Sequence, residues 1–457
     1  MDKQLYEKLL NIAINNGADF AEIYDEKSLF TCYNVLDSKL DSITTKNRYG
    51  IGIRVKKNKC CYYASTNNRK EDNLIKIVND LTKKFQSKTN KKDIFLTELV
   101  DKTKKCNLHN EMSIDDKKKI LLNLDKIVRN HSNYVKQASL SFLENYKEFT
   151  ICNSNGKYVK SNNIVTRFIC TIYTEKDGNN ESQFADYATG TGYEFIENVN
   201  LEEIVLKCAN LAIEKLDAVY FKGGEMPVIL GNGFGAVIFH EACGHGLEAT
   251  SIAPKVSVFK DDLNKKIATD KVTLIDDGTL KEVWGSSIID DEGNDTKKNI
   301  LIEKGILKKY LIDDFNSEIM ELESNGCGRR EDYTYPPTSR MSNTYLQNGT
   351  DKIEDMIKSI EYGVYCERMS GGSVNPATGE FNFAVDVARL IENGKITKML
   401  KGVTLIGNSK DILQNVEMVS DDLKLSGGYC GSKSGLIYVT IGQPTIKISK
   451  ILVGGKE

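Results

Sequence analysis

Long runs of β-branched and aromatic residues, cut at intervals by tight-turn signals, constrain the fold of this chain more than any other feature. AEIYDEKSLFTCYNVLDSKLDSITTKN (21–47) and YGIGIRVKKNKCCYYAS (49–65) read as hairpins, and the pattern returns from Gln137 to Tyr187, broken by NSNGK and EKDGNNES. KVTLIDDGTL, FNFAVDVARLIENGKITKML and LIYVTIGQPTIKISKILVGG repeat it later, with DDG and ENG at positions that favour tight turns. Helical periodicity interrupts the strands. Leu5, Leu9, Ile12 and Ala13 mark a first helix stopped by Gly17; Leu74, Ile77, Val78, Leu81 and Phe85 mark a second; Ile120, Leu121, Leu124, Ile127 and Val128 mark a third. Leu201 to Val219 reads as one long helix, and Ile353 to Ile360 as a short one. A Lys-rich polar connection separates the second helix from the third. With 457 residues the chain exceeds the size at which one core stops growing. The sequence therefore predicts an α+β protein of two domains. Residues 1–220 form an N-terminal α/β domain with mostly antiparallel sheet, and residues 221–457 a β-rich C-terminal domain opening at FKGGE, where a Gly pair precedes the strand MPVIL.

Sixty-two basic and 64 acidic residues leave a net charge of -2, which gives no field to attract nucleic acid or an anionic membrane. No apolar run approaches the length of a membrane span. The 11 cysteines are odd in number and scattered, and MDKQLYEKLLNIAINNG lacks the basic and apolar blocks of a secretory leader. The expectation is a protein of the reducing cytoplasm, with no nucleic acid and no membrane among its partners.

Only four histidines occur, His109, His131, His240 and His245, and two of them share the stretch VIFHEACGHGLEAT (237–250). The spacing is H-E-x-x-x-H, one residue longer than the zinc-peptidase pattern. Residues five apart on an ideal α-helix lie about 140° apart around the axis, so both rings meet one ion only if the helix is distorted. Gly244 permits a helix end or a one-residue π-bulge, which realigns the two imidazoles. Glu241 then stands beside the ion, placed to act as a general base toward water. A catalytic zinc needs a third protein ligand. Cys243, Glu248 and Cys430, the last set among glycines in SGGYCGSKSG, are the candidates, and spacing alone does not choose between them. Cys243 suits a small apolar packing role better.

GNGFGA (231–236) overlaps this region and fits the dinucleotide fingerprint G-x-G-x-x-A literally. Pro254 and Lys255 stand where the required second strand should run, so the glycines are better read as permitting close strand-to-helix packing.

Several stretches together resemble the TldD/PmbA family of peptidases, in its metal-bearing TldD branch: HEACGHGLEA, GCGRRE (326–331), SRMSNTY (339–345), IEYGVY (360–365), GGSVNPATGEF (371–381), LIENGKITKMLKGVTLIGN and CGSKSG from Cys430. They fall in the family's order across the second half, with a fainter echo in GADFAEIY and GIGIRV. The resemblance implies that Cys430 joins His240 and His245 on Zn2+, with Glu241 as general base. Leu436 departs from the glutamine many relatives carry. The resemblance further implies hydrolysis of unfolded or extended peptides inside the cavity of a homodimer, or of a heterodimer with a PmbA-like chain. Arg329, Arg330 and Arg340 are candidates to bind a substrate terminus or an oxyanion, although arginines in such loops more often serve as structural ion-pair partners. The alternative is a non-catalytic partner or modulator subunit that keeps the fold while another chain hydrolyses.

Overall fold

The computed structural model describes residues 1–85, 93–104 and 112–456; His109 and part of the Lys-rich connection lie outside them. The first helix spans Lys3–Asn15, where the Asp2 carboxylate caps the end by accepting the Leu5 N–H at 2.8 Å. Gly17, with φ of 102°, provides the expected stop. The second and third helices run over Glu71–Thr82 and Ile114–His131. Phe85 falls just past the second and packs its ring edge-on against Tyr62, with centroids 5.2 Å apart. The fourth, Leu201–Lys215, stops short of the expected Val219 because that residue's backbone is bonded to a strand instead. Val219 donates its N–H to the Met399 carbonyl at 3.0 Å and accepts from Lys401 at 2.9 Å.

The first sheet is antiparallel apart from one two-residue strand. Its order is Cys60–Thr66, Lys39–Lys57, Phe20–Leu36, Val135–Asn153, Tyr158–Lys176, with Asn179–Thr189 also paired to the last of these. Helices cover one face in two places. Tyr6, Leu9, Leu10 and Ala13 meet Ile23, Ile51 and Ile53, whereas Leu121, Leu124 and Val128 pack with Val205 and Ala209 over Leu140, Phe142 and Phe168. No helix among the described residues is long and apolar enough to cross a membrane.

Two larger sheets and the short pair Gly328–Arg329 and Thr338–Ser339 build the second half. In one, Tyr362–Val374, Gly224–Leu230, Ile446–Gly454, Thr404–Asn408 and Glu380–Glu392 pair in succession, and the last strand pairs back onto the first, so the sheet closes on itself. The other is six-stranded and ends in a hairpin of Lys424–Ser432 and Gly435–Gln443. A large apolar core containing Val228, Leu230, Phe239, Leu405 and Ile446 fills this half. Buried ion pairs join the uncovered face of the first sheet to C-terminal loops: Arg54 binds Glu22 at 2.6 Å and Glu292 at 2.7 Å, and Arg330 binds Glu22 at 2.9 Å. Each charge removed from water there has a partner, which is the condition for burying it.

Candidate metal centre

The segment after Gly224–Leu230 passes through three helix types in eleven residues. Val237–Phe239 is α-helical, His240–Gly244 forms a π turn, and His245–Leu247 is a 3-10 turn. The His245 N–H reaches the His240 carbonyl, the five-residue bond that defines a π turn. It rotates the two rings toward a common point: their centroids lie 5.2 Å apart. Gly244 has ordinary helical angles, φ -52° and ψ -56°, so its conformational freedom is not what the site uses. Space is. A Cβ on Gly244 would sit 1.9 Å from the sulfur of Met341, itself fully buried.

Cys430 arrives from the hairpin. Its Sγ lies 3.4 Å from His240 Nε2 and 3.2 Å from His245 Nε2. One donor atom from each of the three residues falls within 4.8 Å of the others. A tetrahedral ion with bonds of about 2.0–2.3 Å holds its nitrogen and sulfur donors roughly 3.3–3.6 Å apart, so the two sulfur-to-nitrogen distances and the donor chemistry suit zinc. Burial pushes the Cys430 thiol up, but the hydrogen bonds and charges of His240 and His245 outweigh it and bring the thiol down to about 4. The site thus supplies a thiolate, the form that binds metal. Burial alone would lower His245; Glu248 and Cys430 raise it well above its ordinary value.

Glu241 lies beside the donors. Its Oε2 is 3.6 Å from His245 Nε2, and its side chain is 24% exposed, open enough to meet water. Glu248, one of the candidate ligands, faces the far side of His245 and accepts from its Nδ1 at 3.1 Å. That bond engages Nδ1 and leaves Nε2 as the nitrogen that faces Cys430 and is free to bind an ion, a partner arrangement typical of metal-binding histidines. Cys243 is fully buried in the apolar core, its thiol pushed up by burial.

The three arginines are engaged within the chain. Arg329 donates to the Met341 and Tyr438 carbonyls at 2.6 and 2.7 Å. Arg330 donates to Glu22 and to the Asp291 carbonyl at 2.9 and 2.8 Å. Arg340 donates to Ser434 Oγ and to the Gly435 and Cys430 carbonyls at 3.0, 3.1 and 2.6 Å. These bonds run to groups of the chain itself and shape the loops around the hairpin. The glycine-rich turn before the site also serves packing: a Cβ on Gly231 would meet the Glu367 carbonyl at 2.4 Å, and one on Gly235 would meet Gln443 at 2.6 Å. Leu436 is 51% exposed near the hairpin tip, with its N–H on Glu331. Sequence reasoning missed Trp284, whose indole N–H holds the Gly428 carbonyl at 2.8 Å, two residues before the thiolate. It also missed Ser434. No local pattern marks Trp284, which acts on a strand distant in sequence, whereas Ser434 stands inside CGSKSG and its partner Arg340 is the distant one.

Two imidazoles, a thiolate and a neighbouring carboxylate on a mixed α/β framework form a candidate metal centre. Comparison with known proteins carries this further. Residues 223–455 match the PmbA/TldA metallopeptidase C-terminal domain, 107–216 the central domain and 21–83 domain 1. A metalloprotease TldD homolog of Buchnera aphidicola subsp. Acyrthosiphon pisum is 33% identical over 452 residues, covering 96% of this chain and 93% of the relative. A zinc metalloprotease TldD homolog of Saccharolobus solfataricus is 30% identical over 270 residues, 59% of this chain and 60% of that one. The fold is also that of the crystal structure of TldE from Thermococcus kodakarensis, with a TM-score of 0.80 at 22% identity over 99% of this chain and 100% of that one. The chain belongs to the TldD/PmbA metallopeptidase family.

Proposed function

We propose that this chain is a zinc-dependent peptidase that hydrolyses unfolded or extended peptides inside a cavity formed with a second subunit, either its own copy or a PmbA-like chain. The observation that supports it most is the convergence of His240, His245 and Cys430 with Glu241 alongside. His240, His245 and Cys430 hold the ion. When bound, zinc supplies Lewis acidity toward a carbonyl and toward water. Glu241 takes the proton of the attacking water on its carboxylate and returns it to the leaving amine. Glu248 keeps His245 in the binding tautomer throughout. In this reading residues 221–457 carry the chemistry, and residues 1–220 wall the cavity and govern access. An extended substrate pairs its backbone with a sheet edge, which gives affinity with little sequence preference. The fold shared with TldE is consistent with assembly beside a related chain. The place of action proposed is the cytoplasm.

The full-length protein, loaded with zinc and incubated with an unstructured polypeptide, tests this reading by mass spectrometry of the products. Cleavage is expected to disappear with chelator and to fall by about 10²–10⁴ in Glu241→Gln while zinc stays stoichiometric. Stoichiometric zinc with no turnover, alone or with a PmbA-like chain added, would instead assign the protein as a non-catalytic subunit.

A further inference from the structure

We propose that Arg340 is a positioning residue for the thiolate: it ties the strand carrying Cys430 to the Glu248–His245 pair and sets the sulfur-to-imidazole distance before an ion binds. The inference rests on the reading that His240, His245 and Cys430 are metal ligands. Cys430 and His245 stand 185 residues apart in sequence, and a hairpin end is a mobile place to mount a ligand. Arg340, with a fully buried side chain, lies between them. Its Nη2 holds the carbonyl of Cys430 itself at 2.6 Å, and its Nη1 holds Ser434 Oγ and the Gly435 carbonyl, so one planar group grips both sides of the turn. On the other flank its Nε faces Glu248 Oε1 at 3.9 Å, and neither atom has another protein partner. The second oxygen of Glu248 is the one that binds His245 Nδ1. A single cation thereby bridges the two ligand-bearing elements.

Arg340 is itself held in place. Its N–H is bonded to the Cys327 carbonyl at 3.0 Å, and the preceding Ser339 Oγ accepts from the Thr250 N–H at 3.0 Å, just beyond the histidine segment. Met341, next in the chain, packs under Gly244. A lysine would keep the charge but replace a rigid fork with a single point donor, losing simultaneous hold of the hairpin acceptors.

The test is titration of cobalt(II) into the metal-stripped full-length protein, read by affinity and by the thiolate-to-cobalt absorption. It is run on the wild type, Arg340→Lys, Cys430→Ser and the double variant. Arg340→Lys is expected to weaken binding about 10- to 100-fold and to dim the thiolate band. In the Cys430→Ser background the same change is expected to alter affinity by less than about twofold, because its effect passes through the sulfur. Ser434→Ala, which removes one Arg340 acceptor and uncovers no charge, should show the same dependence on Cys430 at a smaller, several-fold size, and it stands in should Arg340→Lys fail to fold. Equal losses in both backgrounds, or unchanged affinity and absorption in Arg340→Lys and Ser434→Ala, would overturn the proposal. A wild type that binds no cobalt would overturn the metal reading itself, whereas a wild type with a strong thiolate band and indifferent variants would overturn only the role of Arg340.

Discussion

His240 and His245 ride on a segment whose shape is decided within eleven residues, whereas Cys430 reaches them on a hairpin whose position is decided by groups far away in the chain. The first element needs a π turn and a missing Cβ at Gly244. The second needs Trp284 and Arg340, which lie 144 and 90 residues before the hairpin carbonyls they hold, with Ser434 in the hairpin itself accepting from Arg340. The contrast teaches how a site divides its information. Local backbone chemistry aims the rings, and tertiary hydrogen bonds deliver the sulfur.

Removing the delivered ligand should have the largest effect. Cys430→Ser is expected to lower zinc affinity by at least about 100-fold, since loss of a mere ligand-orienting partner already costs 10–100-fold. Competition with a chromophoric chelator measures it. An unchanged affinity would mean that the histidine segment suffices, and the contrast between the two elements would collapse.

The reverse of the hairpin sharpens the comparison through pH. Tyr429, Leu436 and Tyr438 face a cavity of about 360 Å³ whose opposite wall includes Glu26 and Lys147 from the first sheet. Burial pushes the Glu26 carboxyl up to about 7, partly opposed by Lys147, and one of its oxygens has no partner. A carboxyl raised in the folded state contributes stability in full below its unfolded value near 4.5, and that contribution is lost as pH climbs through about 7. Glu26→Gln should therefore stabilise the protein by about 3 kcal/mol at pH 8, the net shift already containing the attraction to Lys147, and by little at pH 4. Denaturant melts at the two pH values check it; equal shifts at both would show that Glu26 titrates as an ordinary surface acid.

Gly244→Ala attacks the local element instead. The new methyl group must displace the packed side chain of Met341, an overpacking cost of about 1–3 kcal/mol, and the displacement should also turn the histidines and weaken metal binding. Adding Met341→Ala opens the space and should recover part of the stability. A Gly244→Ala protein with wild-type melting would show that Met341 moves aside freely.

These contrasts also explain how much was legible beforehand. The strand runs and the first four helices near their observed places followed from periodicity, and the five-residue spacing of His240 and His245 required a helix end or a π-bulge, because each is dictated by neighbours in sequence; the structure has the π turn. The end of the fourth helix was not, since Val219 gives its backbone to Met399 and Lys401, an event of tertiary pairing. The meeting of Cys430 with the histidines came only from resemblance. Spacing left Cys243, Glu248 and Cys430 open, and the structure separates them by burial, by orientation and by the fold that closes a 185-residue gap. Arg340 was visible as a charge in a loop, but its bonds to the thiolate's own strand were not.

Trp284 offers the smallest and most discriminating perturbation. Its ring packs against Tyr438 and Tyr429, with centroids 4.7 and 5.7 Å away, and its indole N–H holds the Gly428 carbonyl. A Cβ on Gly427 would meet its ring atoms at 3.1 Å, so the strand passes directly over the indole. Trp284→Phe keeps an aromatic ring in the cluster and removes the hydrogen bond, at an expected cost of about 1 kcal/mol in stability. Because the bond lies two residues from Cys430, the change should also loosen the sulfur, read as a several-fold weaker cobalt(II) affinity, while leaving the π turn and the His245–Glu248 bond untouched. Loss of stability with full retention of cobalt affinity would show that Arg340 alone fixes the thiolate, and that the aromatic backing merely supports the sheet.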